Sequence, residues 1–289
     1  MQQASQSLLR LLRQQTNLIE HMRILEITSE NNSIYKKLKS IKDKKGREQH
    51  GLFFIEGRRF VAEAIQRNVG IDILCMGQKY YDRFGQELVE LYGDQLSNTT
   101  WVLLSDKLMD GLTDTVSDQG LCAAVEIPAN KPVPTEGRQF YVLLDKLQDP
   151  GNLGTIIRTC HAAGATGIVL GNQCVDPYNT KTLRSTMGSI FALNIHRVKD
   201  LAQKIGEMRQ DGYDIYAAAL ENGRPYTQLK LWEPEKVAIV IGNEGNGVSQ
   251  EVIDACTGNV YIPMPGGSES LNASAAASIL IYERIRQEI

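Results

Sequence analysis

The chain has 289 residues, a formal net charge of −3, 42% hydrophobic and 22% charged residues. That length suggests two domains, and that balance suits a soluble globular protein with a core to bury. No run of eighteen apolar residues occurs, which excludes a helical membrane span. The near-neutral charge excludes a polycation, so any nucleic-acid contact must come from a local basic patch. The five cysteines, Cys75, Cys122, Cys160, Cys174 and Cys256, are dispersed without a C-x-x-C pair and read as reduced core thiols in a reducing compartment. The four histidines stand at no metal-ligand spacing, so no metal is expected.

Residues 1–22 carry Arg10, Arg13 and a single acid, Glu20, around a short leucine pattern. Lacking the apolar core of a secretory signal, they read as a leader or N-terminal extension; a transit peptide, and with it the mitochondrial matrix, is the lesser alternative to a cytoplasmic location. Residues 23–127 read as a small α/β domain. A strongly basic helix is expected over Ser33–Lys45, then strand Leu52–Glu56, helix Arg58–Gln66, strand Ile71–Met76, helix Asp82–Leu91, and strands Thr100–Leu104 and Leu121–Ile127. From Tyr35 to Arg59 nine Lys/Arg face three acids, a local net of +6, which is the footprint of a phosphate-binding face.

Three of the nine prolines, Pro128, Pro132 and Pro134, fall within seven residues, so residues 128–138 read as a stiff linker. Residues 139–289 then alternate. Strands are expected at Phe140–Leu144, Gly167–Leu170, Asp214–Ala219 and Val237–Ile241. Helices are expected at Gly154–Ala163, Thr180–Phe191, Leu201–Asp211 and Asn272–Gln287. Continuous apolar runs such as Val237–Ile241 belong to strands covered on both faces, which favours a parallel sheet under helices.

Ligands of such sheets sit at the carboxyl ends of the strands, and three segments there carry glycine and polar residues. Residues 145–164 take a strand through Pro150-Gly151 into a helix, with Asn152 near its cap and Arg158 further in. Residues 239–249 run an apolar strand into Gly242-Asn-Glu244-Gly-Asn-Gly247, a loop that could lead to a helix capped by Ser249. Residues 261–277 place Pro263, Pro265 and two glycines before a small-residue helix that Ser270 or Asn272 could cap. Alone, each is ordinary: a capped helix, a flexible loop, a tightly packed helix. The glycines match neither the dinucleotide spacing nor the P-loop, and no G-x-S-x-G elbow occurs.

Taken in this order, Asn-x-Gly-x3-Arg-x3-Ala-x-Gly, Gly-Asn-Glu-Gly-x-Gly and Ile-Pro-Met-x5-Ser-Leu-Asn-x-Ser closely resemble the three signature motifs of the SpoU/TrmH-type RNA ribose 2′-O-methyltransferases of the SPOUT superfamily. The resemblance covers essentially all of residues 139–289; residues 33–127 more loosely resemble the RNA-binding substrate domain often fused in front. It implies an α/β fold whose parallel sheet carries a deep trefoil knot, preceded by a smaller α/β substrate-binding domain. It implies bent S-adenosylmethionine held by Gly242, Ile262 and Leu271, largely through backbone groups, with Ser270 and Asn272 touching donor or ribose. Arg158 matches the family's catalytic arginine; a guanidinium stays protonated and is a poor general base, so positioning and electrostatic work on the RNA backbone are expected of it. Asn152 and Glu244 are expected to organise Arg158 or the substrate. The resemblance further implies a homodimer and an RNA substrate, ribosomal favoured over transfer RNA; the basic patch, read apart from the family, offers Lys36, Lys37, Lys39, Lys44, Lys45 and Arg58 to hold it. A silent RNA-binding protein of the same fold is the alternative, and a nucleotide-dependent oxidoreductase is disfavoured by the glycine spacing.

Overall fold

The computed structural model describes residues 23–114, 120–129, 137–231, 233–267 and 269–288. The expected leader, residues 1–22, lies outside the described residues, as do residues 130–136 of the expected linker. The chain divides into two compact units, Met1–Pro128 with Tyr178–Thr180 and Ala129–Pro177 with Lys181–Ile289.

The first unit runs β1 (Ile24–Ile27), α1 (Ser33–Ser40), α2 (Lys44–His50), β2 (Leu52–Glu56), α3 (Arg58–Gln66), β3 (Ile71–Gly77), α4 (Gln78–Tyr92), β4 (Thr100–Leu104), α5 (Asp106–Asp110) and β5 (Leu121–Glu126). Its sheet has the order β1-β4-β3-β5-β2. Strand β5 is antiparallel to both neighbours, and β1, β4 and β3 pair parallel. Alternate strand residues such as Phe54, Ile73, Cys75, Val102 and Leu104 meet Tyr35, Leu38 and Ile41 in one core, as the two-residue strand period requires.

The helix expected over Ser33–Lys45 is broken. Asn32 caps α1 by accepting from Ile34 N at 2.8 Å, but the helix stops at Ser40 and restarts at Lys44. Helix α2 turns back against the end of α1 so closely that a Cβ on Gly46 would lie 2.0 Å from the Ser40 carbonyl oxygen. Arg47 is buried there and donates to the Ile41 and Lys42 carbonyls in the turn just past the end of α1. One arginine of the basic run is therefore a structural clamp. Strand β1 and the short α5 fall outside the expected elements.

The second unit runs β6 (Gln139–Leu144), α6 (Pro150–Ala162), β7 (Gly167–Leu170), α7 (Thr180–Thr186), β8 (Asn194–Arg197), α8 (Leu201–Gln210), β9 (Asp214–Ala218), β10 (Gly223–Pro225), β11 (Lys236–Ile241), α9 (Gln250–Ala255), β12 (Gly258–Tyr261) and α10 (Ala273–Glu288). Its sheet, β10-β12-β9-β11-β6-β7-β8, is parallel throughout. The apolar runs explain this: β6 is buried along its whole length and β11 from Val237 onward, so helices cover both faces. Late in the chain, β11 inserts between β6 and β9, bringing the loops after β6 and β11 side by side.

Helix α6 begins a turn earlier than expected, because Pro150 suits the first helical position and Asp149 caps the helix through Asn152 N at 2.7 Å. The helix expected over Thr180–Phe191 ends at Thr186; Met187 and Gly188 have φ of 49° and 85°, and a 3₁₀ turn, Ser189–Phe191, follows. Strands β8, β10 and β12 fall outside the expected elements, since none of them is a continuous apolar run. All five cysteines are buried and free.

Candidate functional site

The three glycine-bearing segments meet at the carboxyl ends of β6 and β11. Asp145, buried at the end of β6, accepts from Ser249 N at 2.7 Å and from Ser249 Oγ at 2.6 Å. Ser249 thus stands at the N-cap position of α9 without capping it; its hydroxyl ties α9 to the first segment instead.

The loop Asn243–Gly247 is closed on itself. Asn243 and Gly247 exchange backbone hydrogen bonds of 2.9 Å, and Asn243 Oδ1 accepts from Gly245 N and Asn246 N. Gly242 has no room for a side chain: a Cβ there would lie 2.0 Å from the Gly247 carbonyl carbon, and Gly247 itself has φ +68°. The loop is pre-shaped rather than slack, and the glycines are what permit its closure.

Glu244 reaches across to the first segment. Its Oε1 accepts from Asp149 N at 2.9 Å and Asn152 Nδ2 at 3.1 Å, and its Oε2 from Gln148 N at 3.2 Å. Burial alone would raise the Glu244 carboxyl, but the Asn152 amide and the surrounding backbone N–H groups outweigh it and hold the pKa below its ordinary value. Asn152 is buried and passes the connection on: its Oδ1 accepts from Asn272 Nδ2 at 2.9 Å. Asn272 in turn caps α10, accepting from Ser274 N, Ser274 Oγ and Ala275 N. Glu244, Asn152 and Asn272, one from each segment, form a single hydrogen-bonded chain.

A cavity of about 330 Å³ opens beside this chain. Its walls are the end of β9, the closed loop at Asn246–Val248, Val260–Ile262, Met264, Glu269–Leu271, and Ala276 and Leu280 of α10. Of the residues expected to touch the donor, Ile262, Ser270 and Leu271 line this cavity, while Gly242 stands outside its walls and lets the neighbouring loop close. Asn272, Asn152, Glu244 and Arg158 are not in its walls. Asn152, Glu244 and Asn272 hold the walls in place, and Arg158 stands exposed on α6. Sequence reasoning missed Leu220 and Glu221, which follow β9 and line the cavity; the rule that ligands gather past the carboxyl ends of parallel strands points to them. Leu220 and Leu271 are 63% and 40% exposed, an unusual pairing of large apolar side chains at one opening.

The residues present fit S-adenosylmethionine. Aliphatic side chains and exposed backbone offer a slot for a flat base, and Glu221 and Glu269 supply carboxylates suited to hydroxyls and to a cation. His161 Nδ1 lies 3.0 Å from Ser189 Oγ, a structural contact. Among the described residues no cluster of His, Cys, Asp and Glu is placed to hold a metal ion.

In the first unit, most of the expected RNA-binding lysines have local partners. Lys37 pairs with Asp72 at 2.9 Å, Lys39 with Glu30 at 3.9 Å and Lys44 with Glu48 at 3.8 Å. Lys36 and Lys45 are exposed with no ion pair among the described residues, and the Arg58 guanidinium lies over the Phe84 ring at 4.6 Å.

Residues 139–282 match the model of the SpoU rRNA methylase family, and residues 31–123 that of the MRM3-like substrate binding domain. A relative from Bacillus subtilis, named 23S rRNA (guanosine(2553)-2′-O)-methyltransferase RlmP, is 34% identical over 89% of this chain and 98% of its own. The crystal structure of an rRNA methyltransferase from Sinorhizobium meliloti superposes with a TM-score of 0.81 at 30% identity, covering 93% of this chain and 100% of that one. A second structure of that protein is titled as AdoMet bound, with a TM-score of 0.81 over 92% of this chain and 99% of its own. With the three motifs joined around one cavity and these likenesses running along nearly the whole chain, the protein belongs to the SpoU rRNA methylase family.

Proposed function

We propose that the chain transfers a methyl group from S-adenosylmethionine to the ribose 2′-hydroxyl of a nucleotide in ribosomal RNA. The observation that carries this is the Glu244–Asn152–Asn272 chain, which fastens all three signature segments around one apolar, backbone-lined cavity. The rRNA target is favoured over transfer RNA by the family description and by the B. subtilis relative's name.

S-adenosylmethionine supplies an electrophilic methyl group on a sulfonium. The chain's own residues do the rest. Leu220, Ile262 and Leu271 give the base an apolar slot and exclude water from it, and Glu221 takes ribose hydroxyls. Ser270, Gly242 and Asn272 keep the loops closed around the donor. Arg158, exposed on α6, holds the RNA backbone and offsets its charge beside the reacting hydroxyl.

Residues 139–289 form the methyltransferase domain and residues 23–127 the substrate domain, joined by the linker at 128–138; the division of the chain near Pro128 supports this. Lys36, Lys37, Lys39, Lys44, Lys45 and Arg58 belong to the RNA-binding surface. The return of β11 into the middle of the sheet supports a knotted C-terminal segment. A homodimer is supported by α10, which leaves Ile279 and Tyr282 36% and 49% exposed. A cytoplasmic location is supported by the bacterial relatives and the unpaired cysteines.

The test is methyl transfer from labelled S-adenosylmethionine to ribosomal RNA. A 2′-O-methyl group blocks alkaline cleavage of the following linkage, so label is expected in alkali-resistant dinucleotides. Label recovered in the base alone overturns the assignment.

A further inference from the structure

A second cavity, of about 610 Å³, belongs to the first unit and contains none of the signature residues. The sheet topology creates it. Strands β2 and β3 flank β5, and both run antiparallel to it, so their carboxyl ends share one edge of the sheet. Helix α3 starts immediately after β2 and α4 immediately after β3. That brings Arg58 and Arg59 together with Lys79 and Arg83, while Asp106 and Asp110 of α5 complete the rim.

Charge and shape at this edge are those of a ligand site. Four cations line the cavity against two carboxylates. Lys79 stands 3.3 Å from Asp106, with the lysine side chain 83% exposed. Arg59 and Arg83 are exposed and have no ion-pair partner among the described residues. Arg58, Arg59 and Lys79 also occupy first helical turns that hold no acid, where the helix dipole disfavours a cation. Lys79 has Asp106 and Arg58 has the Phe84 ring to offset that cost, whereas Arg59 has no ion pair among the described residues and a bound anion would supply one.

The same cavity carries aromatic surface. Phe84 is half-buried, with the Arg58 guanidinium over its ring at 4.6 Å and the Tyr80 ring 5.3 Å away. A flat guanidinium already ordered on a ring is a platform for a further flat group, and a base is such a group. Paired bases are stacked inside a duplex and cannot reach it.

We infer that this cleft is a second RNA-binding site, one that takes an unpaired nucleotide, with Arg59 and Arg83 on flanking phosphates and Phe84 with Arg58 against the base. The inference rests on the reading that the chain acts on RNA, and it adds to the helical lysines a site that distinguishes loops from duplex. It would let the first unit select an exposed loop.

The experiment uses the full chain, with an unstructured RNA oligonucleotide and an RNA duplex of equal length as probes, in filter binding at several salt concentrations. For the double variant Arg59→Gln/Arg83→Gln, the slope of log affinity against log salt for the unstructured RNA should fall by about 1.4, about 0.7 for each lost phosphate contact. Near physiological salt this corresponds to about tenfold weaker binding. S-adenosylmethionine binding should be unchanged. Phe84→Leu should keep the salt slope and lose the preference for unstructured RNA over duplex. An unchanged slope and affinity in the arginine variant, with the melting curve of the wild type, overturns the cleft as an RNA site while leaving methyl transfer standing. A Phe84→Leu chain that still melts as wild type and keeps its preference overturns the assignment of an unpaired base. A wild-type chain that binds neither RNA overturns this inference, while the methyl-transfer assay decides the function beneath it separately.

Discussion

Asn152→Ala removes the middle link of the Glu244–Asn152–Asn272 chain. The amide is buried and makes two side-chain bonds, at 3.1 Å to a carboxylate and at 2.9 Å from a neutral amide. A hydrogen bond to a charged group contributes about 1.5–3 kcal/mol and a neutral one about 0.5–1.5 kcal/mol. Glu244 and Asn272 are both exposed, so water takes over part of each loss. The net cost is then about 2 kcal/mol, which for a unit of this size lowers the melting temperature by about 4–8 °C. Ser270 and Leu271 immediately precede Asn272 and line the cavity. Freeing Asn272 should therefore weaken S-adenosylmethionine binding as well, by up to about tenfold, equivalent to about 1.4 kcal/mol. Differential scanning calorimetry and titration calorimetry read both effects. Asn152→Asp sharpens the argument. It preserves shape and the acceptor for Asn272 but sets a second carboxylate against Glu244, and like charges so close raise one of the two pKa values. That variant should be less stable than Asn152→Ala at neutral pH and gain on the alanine variant as the pH falls. An alanine variant that melts and binds like wild type would refute the idea that this chain holds the site together.

Gly242→Ala should cost about 1–3 kcal/mol and abolish S-adenosylmethionine binding, because its Cβ meets backbone of Gly247 and Val248 that cannot swing aside; a normal binding isotherm would show that the loop opens freely. Arg158→Ala should abolish methyl transfer yet leave donor binding intact, since Arg158 is not in the cavity wall; Arg158→Lys should also be poor, lacking the planar fork, and equal loss of binding and transfer would assign the residue to the donor site. Acid should destabilise the protein in a window these contacts define: the lowered carboxyl of Glu244 contributes stability that is fully present above its unfolded pKa and is lost as pH falls through its folded value. Glu283, held down chiefly by its hydrogen bond from Arg286, acts in the same direction, so Glu244→Gln should flatten only part of the dependence of melting temperature on pH below the ordinary carboxylate pKa; an unaltered curve would remove Glu244 from the account.

Local information was legible along the chain. Apolar runs at Phe140–Leu144 and Val237–Ile241 announce strands covered on both faces, each one residue short of the strand that forms, and Arg58–Gln66 and Thr100–Leu104 end where side-chain period and turn residues place their ends. The three signature segments could be read letter by letter, since each is a continuous stretch. What joins them could not. Glu244 meets Asn152 across 92 positions and Asn272 meets Asn152 across 120, and no period or cap connects residues so far apart. The break after Ser40 was hidden for the same reason: it follows from how closely α2 packs on α1, whereas helical propensity runs straight through the lysines. The basic run from Tyr35 to Arg59 was counted as one face, but folding sends Arg47 into the interior, ties Lys37 to Asp72 and turns Arg58 and Arg59 to the sheet edge where β3 delivers Lys79 and Arg83. Composition and order along the chain determine which elements form and which chemistry they carry. Which charges share a cleft depends on strand order, because β2 and β3, running the same way on either side of β5, bring to one edge the ends of segments that the sequence keeps apart.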